Sequence, residues 1–192
     1  MISEHTLDVA GLQLRVLTAL ERAGTPLLIF NGIGASVELL RPLLETLSVG
    51  VIAFDLPGVG ATRPWAMPRR MPELATLATR LLDALEIESS HIMGVSWGGG
   101  LAQQFAWQYP ERTDHLVLAA TSTGQLMVPP RISVMLRMAT PLRYLSASYF
   151  KTIAGELYGG DFRDAPARAE RHAKLMTPPS IWGYLGQLYA MA

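Results

Sequence analysis

The sequence predicts an α/β fold in which a mostly parallel sheet is covered by helices on both faces. Residues 26–30 and 51–54 are runs of mostly apolar residues that are too short for buried helices, and each is followed by a loop that contains glycine. Strands buried on both faces of a parallel sheet have this composition. Residues 37–47 lie between the two runs and carry apolar side chains at helical spacing. Strand, helix and strand in this order predict a right-handed crossover.

The same alternation continues to residue 120, and a hairpin precedes it. Short runs of alternating apolar and polar residues flank Ala10 and Gly11 and predict the hairpin. The later elements are predicted from apolar runs and from apolar stripes at helical spacing. They are a helix at 72–85, a buried strand at 91–95, a helix at 99–109 and a buried strand at 115–120.

From residue 121 onward the pattern changes to short helical stretches. This part contains Pro129, Pro130 and Pro141 and is rich in Met, Leu and aromatic residues, among them Met127, Met135, Met138, Tyr144, Tyr149, Phe150, Tyr158, Trp182, Tyr184 and Tyr189. Its sequence shows no further buried strand. We therefore predict a core over residues 1–124 and a helical cap over residues 125–192.

Residues 94–98 form the motif Gly-Val-Ser-Trp-Gly between a predicted strand and a predicted helix. This context is typical of a nucleophile elbow, in which a tight strand-to-helix turn projects a serine hydroxyl above the sheet. The glycines leave room for the strained turn. The helix start directs the Trp97 N–H and the positive end of the dipole toward a developing oxyanion. We predict that Ser96 is a nucleophile and that the Trp97 amide is an oxyanion-hole donor.

The loop Asn31-Gly-Ile-Gly34 leaves the first buried strand, where such sheets supply a second oxyanion-hole amide. Ile33 is the predicted donor, and Asn31 and Gly32 are predicted to contact the substrate. The two glycines also leave a dinucleotide-binding loop as a weaker alternative, because Asp55 ends the next strand 21 residues after Gly34. Since a third glycine in register is absent, we expect Asp55 to form local hydrogen bonds in its turn instead.

Composition excludes several classes of function. Acidic and basic residues balance to a net charge of zero, so the chain lacks the basic excess that nucleic-acid binding requires. It has neither a signal-peptide pattern at the N-terminus nor an apolar run long enough for a transmembrane helix. No cysteine is present, which excludes disulfides and thiolate metal sites. We expect a cytoplasmic protein without a metal or cofactor.

A serine nucleophile needs a base and an orienting acid, and this sequence offers no complete triad. The triad order in such folds is serine, acid, then histidine, but His5 and His91 precede Ser96. His91 and His115 start predicted strands at the end of the sheet opposite the elbow. His172 lies in a charged helical stretch that predicts a solvated face. Asp161 and Asp164 are predicted surface residues of the cap.

Several segments together resemble one enzyme family. They are residues 31–34, the Gly-Val-Ser-Trp-Gly-Gly motif at 94–99, Leu-Ala-Gln-Gln-Phe-Ala at 101–106, and residues 109–112, 116–121 and 158–160. They resemble the intracellular medium-chain-length poly(3-hydroxyalkanoate) depolymerases, esterases of the α/β-hydrolase fold. The resemblance extends from residue 26 to residue 189. It implies ester hydrolysis in a storage polyester, at the granule surface inside the cell.

Members of that family continue through two further strands that carry the triad acid and histidine. This sequence ends at Ala192 inside the predicted cap, so we expect a truncated form without those strands. In that form residues 116–118 should be an unpaired edge strand with exposed apolar side chains. Two other functions remain open. One is a small-molecule esterase, lipase or C–C bond hydrolase of the same fold, and the other is a non-catalytic fragment that binds granules or a partner. The sequence does not predict the oligomeric state.

Overall fold

A computed structural model of the 192-residue chain describes residues 1–122 and 131–191. The expected boundary between core and cap lies outside the described residues, as do Met127, Pro129, Pro130 and Ala192. The strands are β1 (Ser3–Val9), β2 (Leu12–Thr18), β3 (Leu27–Phe30), β4 (Val51–Phe54), β5 (Ser90–Val95) and β6 (Thr113–Ala119). The helices before residue 123 are α1 (Arg41–Thr46), α2 (Met71–Ala84) and α3 (Trp97–Gln108).

The described strands form one sheet of order β1-β2-β4-β3-β5-β6. The pairs β3/β4, β3/β5 and β5/β6 are parallel, whereas β1/β2 and β2/β4 are antiparallel. The predicted hairpin is confirmed, and its turn residues Ala10 and Gly11 have φ of 56° and 80°. Two consecutive positive φ values are the requirement of a tight type I′ turn. The predicted mostly parallel sheet is also confirmed, because three of the five pairs between described strands are parallel.

Apolar side chains fill both faces of the sheet, as the continuous apolar runs predict. Leu28 and Phe30 of β3 pack in a cluster with α2 and α3, whereas Leu27 and Ile29 pack with Leu44 of α1 on the opposite face. Successive residues of a strand point to opposite faces, so one run supplies both clusters. All four β3 side chains are buried.

The predicted helix at 37–47 is interrupted. A 3-10 turn at Val37–Leu39 precedes the separate helix α1. Pro42 lies in the first turn of α1 and has no amide hydrogen, so a continuous helix would lack the bond from residue 42 to the Glu38 carbonyl. Proline is well accommodated in a first helical turn, which explains why α1 starts here.

The strand predicted at 115–120 is present as β6, and its apolar side chains are partly exposed, as expected of an unpaired edge. Leu116, Val117 and Leu118 of β6 are 39%, 46% and 37% exposed. They alternate between the two faces, so both faces of β6 are partly open. Among the described residues β6 pairs only with β5, which makes it an edge of the described sheet.

Residues 131–191, here called the helical segment, contain the remaining helices. They are α4 (Ile132–Met138), α5 (Leu142–Leu145), α6 (Ala147–Tyr158), α7 (Asp161–Asp164), α8 (Pro166–Leu175) and α9 (Ile181–Met191). No strand occurs in this segment. Among the helices within the described ranges, none is long and apolar enough to cross a lipid bilayer.

The start of α9 crosses the loop that follows β4 at very short range. The Ser180 amide donates to the Gly58 carbonyl over 2.8 Å. A Cβ atom on Gly58 would lie 2.4 Å from the Gly183 Cα atom, so neither position has room for a side chain. Gly58 also has φ of 83°, a conformation that favours glycine. This crossing brings α9 toward the carboxyl ends of β3 and β4.

Candidate active site

Ser96 lies in the turn between the end of β5 and the start of α3, as the motif predicts. Its backbone has φ of 53° and ψ of −117°, a conformation that non-glycine residues rarely adopt. The Ser96 amide donates to the Ala119 carbonyl of β6, and the Ser96 carbonyl accepts from the Gly99 amide, each over 2.9 Å. The surrounding backbone therefore holds the strained turn in place. Strain of this kind is typical of functional residues.

Glycines on both sides of Ser96 make the turn sterically possible. A Cβ atom on Gly94 would lie 2.3 Å from the Gly98 carbonyl oxygen. A Cβ atom on Gly98 would lie 2.2 Å from the Phe30 carbonyl oxygen and 2.5 Å from that of Asn31. These distances are far below van der Waals contact. The glycines let α3 start directly against the end of β3.

The loop after β3 lies beside Ser96. A Cβ atom built on Gly32 would lie 3.8 Å from the Ser96 Cβ atom. The Asn31 side chain donates to the Ser36 carbonyl over 2.9 Å and accepts from the Gly32 amide over 2.8 Å. Asn31 thus braces this loop. Contact of Asn31 or Gly32 with a substrate stays a prediction.

The backbone amides of Trp97 and Ile33 have no hydrogen-bond acceptor in a helix or in the sheet of the described residues. Trp97 directly follows Ser96, and Ile33 follows Gly32, which lies beside Ser96. Trp97 is the first residue of α3, and an amide at that position has no acceptor within its helix. The Ile33 amide donates to no acceptor within the described parts of the chain. Both side chains are 5% exposed, so their packing fixes the backbone positions. An arrangement of free amides beside a serine suits the binding of a developing oxyanion.

Residues of the helical segment contact these two backbone stretches, and the sequence patterns did not reveal them. The Gln187 carbonyl of α9 accepts from the Trp97 indole N–H over 2.9 Å, and Gln187 Oε1 accepts from the Gly34 amide over 2.6 Å. The Ile33 carbonyl accepts from Tyr144 Oη over 2.7 Å and from Arg143 Nη2 over 3.1 Å. The contacts span up to 153 residues of sequence, so local periodicity carries no signal for them.

Burial defines the chemistry of this contact region. Arg143 is 1% exposed, and in the described parts of the chain no carboxylate forms a salt bridge with it. Its guanidinium lies 4.6 Å from the Tyr144 ring centroid. Burial raises the pKa of the Tyr144 hydroxyl above its usual range. The Tyr144 hydroxyl therefore stays protonated and remains a hydrogen-bond donor.

Three histidines lie far from Ser96. His91 is five residues before Ser96 on an extended strand, a separation of about 16 Å. Its Nδ1 atom lies 3.2 Å from His115 Nδ1, so both mark the opposite end of the sheet, as predicted. His5 lies in β1, four strands away from β5, or about 19 Å at ordinary strand spacing. None of these three histidines can contact the Ser96 hydroxyl.

The prediction that His172 lies on a solvated face is wrong. Its ring stacks on Phe150 at 5.2 Å between centroids and contacts Tyr158 and Phe162 at 6.1 and 5.3 Å. Burial in this aromatic cluster lowers the pKa of His172. The charged residues that surround His172 in sequence suggested solvent, but its side chain points into the packing of α6, α7 and α8. Asp164 is exposed as predicted, and the Asp161 side chain lies outside the described residues.

Asp55 performs the structural role that the sequence predicts. It is fully buried, and its carboxylate accepts from the Ala61 amide over 3.0 Å and from the Val37 amide over 2.8 Å. Arg15 Nη1 lies 3.6 Å from Asp55 Oδ2. Asp55 thus ties its own loop to the turn after β3, and its carboxylate is engaged by protein groups rather than free for a ribose.

The profile of the alpha/beta hydrolase fold family matches residues 25–169. The chain belongs to the α/β-hydrolase family. Within residues 1–122 and 131–191 of this α/β hydrolase, the structure contains no group of three or more His, Asp or Glu side chains that could hold a metal ion.

One curated relative and two solved structures are similar to this α/β hydrolase. It is 50% identical over 168 residues to the poly(3-hydroxyalkanoate) depolymerase of Ectopseudomonas oleovorans. The aligned region covers 86% of this chain and 59% of that protein. The chain thus spans less than two thirds of this relative. A hydrolase from Pseudomonas aeruginosa PA01 shares 27% identity with a TM-score of 0.72, over 98% of this chain and 71% of that one. The meta-cleavage product hydrolase of Pseudomonas fluorescens IP01 shares 23% identity with a TM-score of 0.75, over 98% and 68%, and supports the fold alone.

Proposed function

We propose that this chain carries the nucleophile and the oxyanion hole of a serine ester hydrolase. Ser96 Oγ attacks the ester carbonyl carbon, and the Ile33 and Trp97 amides bind the resulting oxyanion. The alkoxide leaves with a proton, and water then hydrolyses the acyl-enzyme. The observation that carries the proposal is the strained Ser96 backbone, with φ of 53° and ψ of −117°, between β5 and α3. Removal of one oxyanion donor in such sites costs about 3 kcal/mol of transition-state stabilisation.

The proposal includes a base and an acid from outside these 192 residues. His5, His91 and His115 lie too far from Ser96, and His172 is packed in the aromatic cluster of the helical segment. Asp55 is already bonded to two backbone amides. Without a base the serine hydroxyl stays protonated and is a weak nucleophile. The proton acceptor is therefore the component that the described residues do not supply.

We propose a medium-chain poly(3-hydroxyalkanoate) as the substrate, hydrolysed in the cytoplasm at the granule surface. The support is the 50% identity to a poly(3-hydroxyalkanoate) depolymerase together with the apolar surface of the helical segment. Five side chains of α4 and α5 are between 51% and 74% exposed, namely Ile132, Met135, Leu136, Leu142 and Leu145. Clustered exposed apolar residues suit contact with an apolar polymer.

A small apolar groove lies between the loop after β4 and helix α9. It is lined by Leu56, Trp65, Met67, Trp182 and Gln187, among others. The Gln187 carbonyl also accepts from the Trp97 indole, so Gln187 lines the groove and contacts the side chain that follows Ser96. Flexible thioether and aromatic side chains accept alkyl groups of different length. With a volume of about 30 Å³ the groove is too small to enclose a medium-chain alkyl group, so it offers an apolar surface rather than a pocket for the acyl side chain.

Replacement of the proposed nucleophile tests the function. Ser96→Ala, made in the protein as its gene encodes it, should lower polymer hydrolysis by at least about a thousandfold. Ser148→Ala is the matched control, because Ser148 lies on the exposed side of α6 and its hydroxyl has Ser146 as its only hydrogen-bond partner among the described residues. The assay measures release of 3-hydroxyalkanoate from polymer granules. Circular dichroism should show the same fold in both variants.

Two results would change the proposal. Retention of most activity in a folded Ser96→Ala protein would refute the nucleophile. Ser96-dependent turnover of a soluble p-nitrophenyl ester without any release from the polymer would leave the serine hydrolase but replace the polyester by small esters.

A further inference from the structure

Gln187 contacts a residue on each side of the proposed oxyanion hole: the backbone amide of Gly34 and the indole side chain of Trp97. Its backbone carbonyl accepts from the Trp97 indole, and its side-chain oxygen accepts from the Gly34 amide. Gln187 is 4% exposed, and its Nε2 atom has no hydrogen-bond partner among the described residues. An unpaired buried amide group is unfavourable and rare in folded proteins. A favourable interaction or a functional benefit must therefore offset the free-energy cost of the unpaired Nε2 group of Gln187.

Tyr144 and Arg143 hold the other side of the same peptide. The Ile33 carbonyl accepts from both, over 2.7 and 3.1 Å, while the Gly34 amide of that peptide donates to Gln187. A peptide group is planar, so bonds to its oxygen and to its N–H fix the orientation of the whole plane. This plane follows directly after Ile33. Rotation about the Ile33 backbone bonds, which would turn its amide away, is thereby restricted.

The cluster also carries a buried charge without a buried counterion. Arg143 is 1% exposed, and its Nε atom has no partner among the described residues. Its Nη1 atom donates to Tyr184 Oη over 2.9 Å. Burial of an ion without a carboxylate is unfavourable, and mere packing would be served better by an apolar side chain of similar size. The charge instead strengthens the bond that Arg143 donates to the Ile33 carbonyl.

We propose that Gln187, Tyr144 and Arg143 are positioning residues that hold the Ile33 and Trp97 amides in the geometry of the oxyanion hole. This inference rests on the proposed serine hydrolase function. The three residues belong to α5 and α9, so the helical segment completes the hole that the core begins. A preorganised donor pair acts on the transition state more than on substrate binding.

Tyr144→Phe tests the inference, because it removes one donor to the Ile33 carbonyl and keeps the ring. We expect kcat to fall about fivefold to tenfold with KM within about twofold, the pattern of an interaction realised in the transition state. The affinity for a medium-chain trifluoromethyl ketone, which mimics the tetrahedral oxyanion, should fall in parallel with kcat. Tyr149→Phe is the matched control, since the Tyr149 hydroxyl has no partner among the described residues. It should change neither quantity.

Gln187→Met gives a readout that needs no catalysis. Loss of the acceptor should make the Gly34 amide exchange with deuterium at least about tenfold faster by NMR, while amides of β3 keep their rates. Unchanged kcat and ketone affinity in Tyr144→Phe, with Ser96→Ala inactive, would overturn the positioning role and leave the nucleophile intact. Unchanged Gly34 exchange in Gln187→Met would also overturn it. Retained activity in Ser96→Ala would instead refute the hydrolase function.

Discussion

Gly98→Ala adds one methyl group at the tightest point of the elbow. The new Cβ atom would lie 2.2 Å from the Phe30 carbonyl oxygen and 2.5 Å from the Asn31 carbonyl oxygen. Both neighbours are backbone atoms at the end of β3, so no side-chain rotation can relieve the clash. Either α3 or the loop at Asn31 must move, and the proposed oxyanion hole moves with it.

Gly100→Ala in the same helix is the control that separates the steric clash from the change in helix propensity. Its new Cβ atom would meet only the Met71 Cε atom at 3.5 Å, which is ordinary contact. Both substitutions replace glycine by alanine in α3, and this change alone stabilises a helix by about 0.5–1 kcal/mol. Their difference therefore measures the clash, which core overpacking data place at about 1–3 kcal/mol. We expect the upper end because the opposing atoms are backbone.

Urea unfolding followed by circular dichroism measures the difference. With a slope of about 2 kcal/mol per molar urea, Gly98→Ala should unfold about 1.5 M earlier than Gly100→Ala. Gly100→Ala should be as stable as the unmodified protein or more stable. Equal midpoints for the two variants would refute the steric account of the elbow, since helix propensity would then be the whole effect.

Three further outcomes concern charge, protonation and strain. The Arg41 and Arg15 guanidinium groups lower the pKa of Glu38 from 4.5 to about 2, so the stability that Glu38 contributes is present above pH 4.5 and is lost as the pH falls toward 2. Glu38→Gln should thus lower the free energy of unfolding at neutral pH by at most about 3 kcal/mol and by nothing at the acid end, as urea titrations across pH would show. Burial lowers the pKa of His172 below its ordinary value of 6.5, so stability should fall as the pH drops below that value, and thermal unfolding of His172→Phe should lack this dependence. Ser96→Gly should be about 1 kcal/mol more stable than Ser96→Ala by urea unfolding, because only glycine relieves the positive φ, and equal stability would mean that the turn is unstrained.

The central strands and the elbow could be predicted because their signals are local. Continuous apolar runs identify β3 and β4, and the glycines at 94 and 98 together with Ser96 identify a turn whose backbone leaves no room for side chains. These features depend on residues close together in the sequence. The predicted order of elements followed from the same patterns and from the handedness of crossovers.

The remaining features depend on contacts between distant residues. An apolar run predicts a strand but does not show by itself whether another element packs on its faces, and those of β6 are partly exposed. The charged neighbours of His172 indicate solvent, whereas Phe150, Tyr158 and Phe162 reach it from other helices and helix ends. The burial of Arg143 depends on Ile33, 110 residues away, and no periodicity encodes that distance. The interruption at Pro42 is local, and the rule for proline could have revealed it.

The crossing of Gly58 and Gly183 has a consequence for how this protein can diverge. A Cβ atom on Gly183 would lie 2.5 Å from the Gly58 Cα atom, so the separation of the two chains is set by main chain against main chain. Substitution of the outward side chains of α9 leaves this backbone contact unchanged. Over evolutionary time α9 is therefore free to exchange the exposed residues Ile181 and Leu185 while its height above the sheet stays constant. The contact between the two glycines thus fixes the position of α9, while the side chains on its outer face can vary.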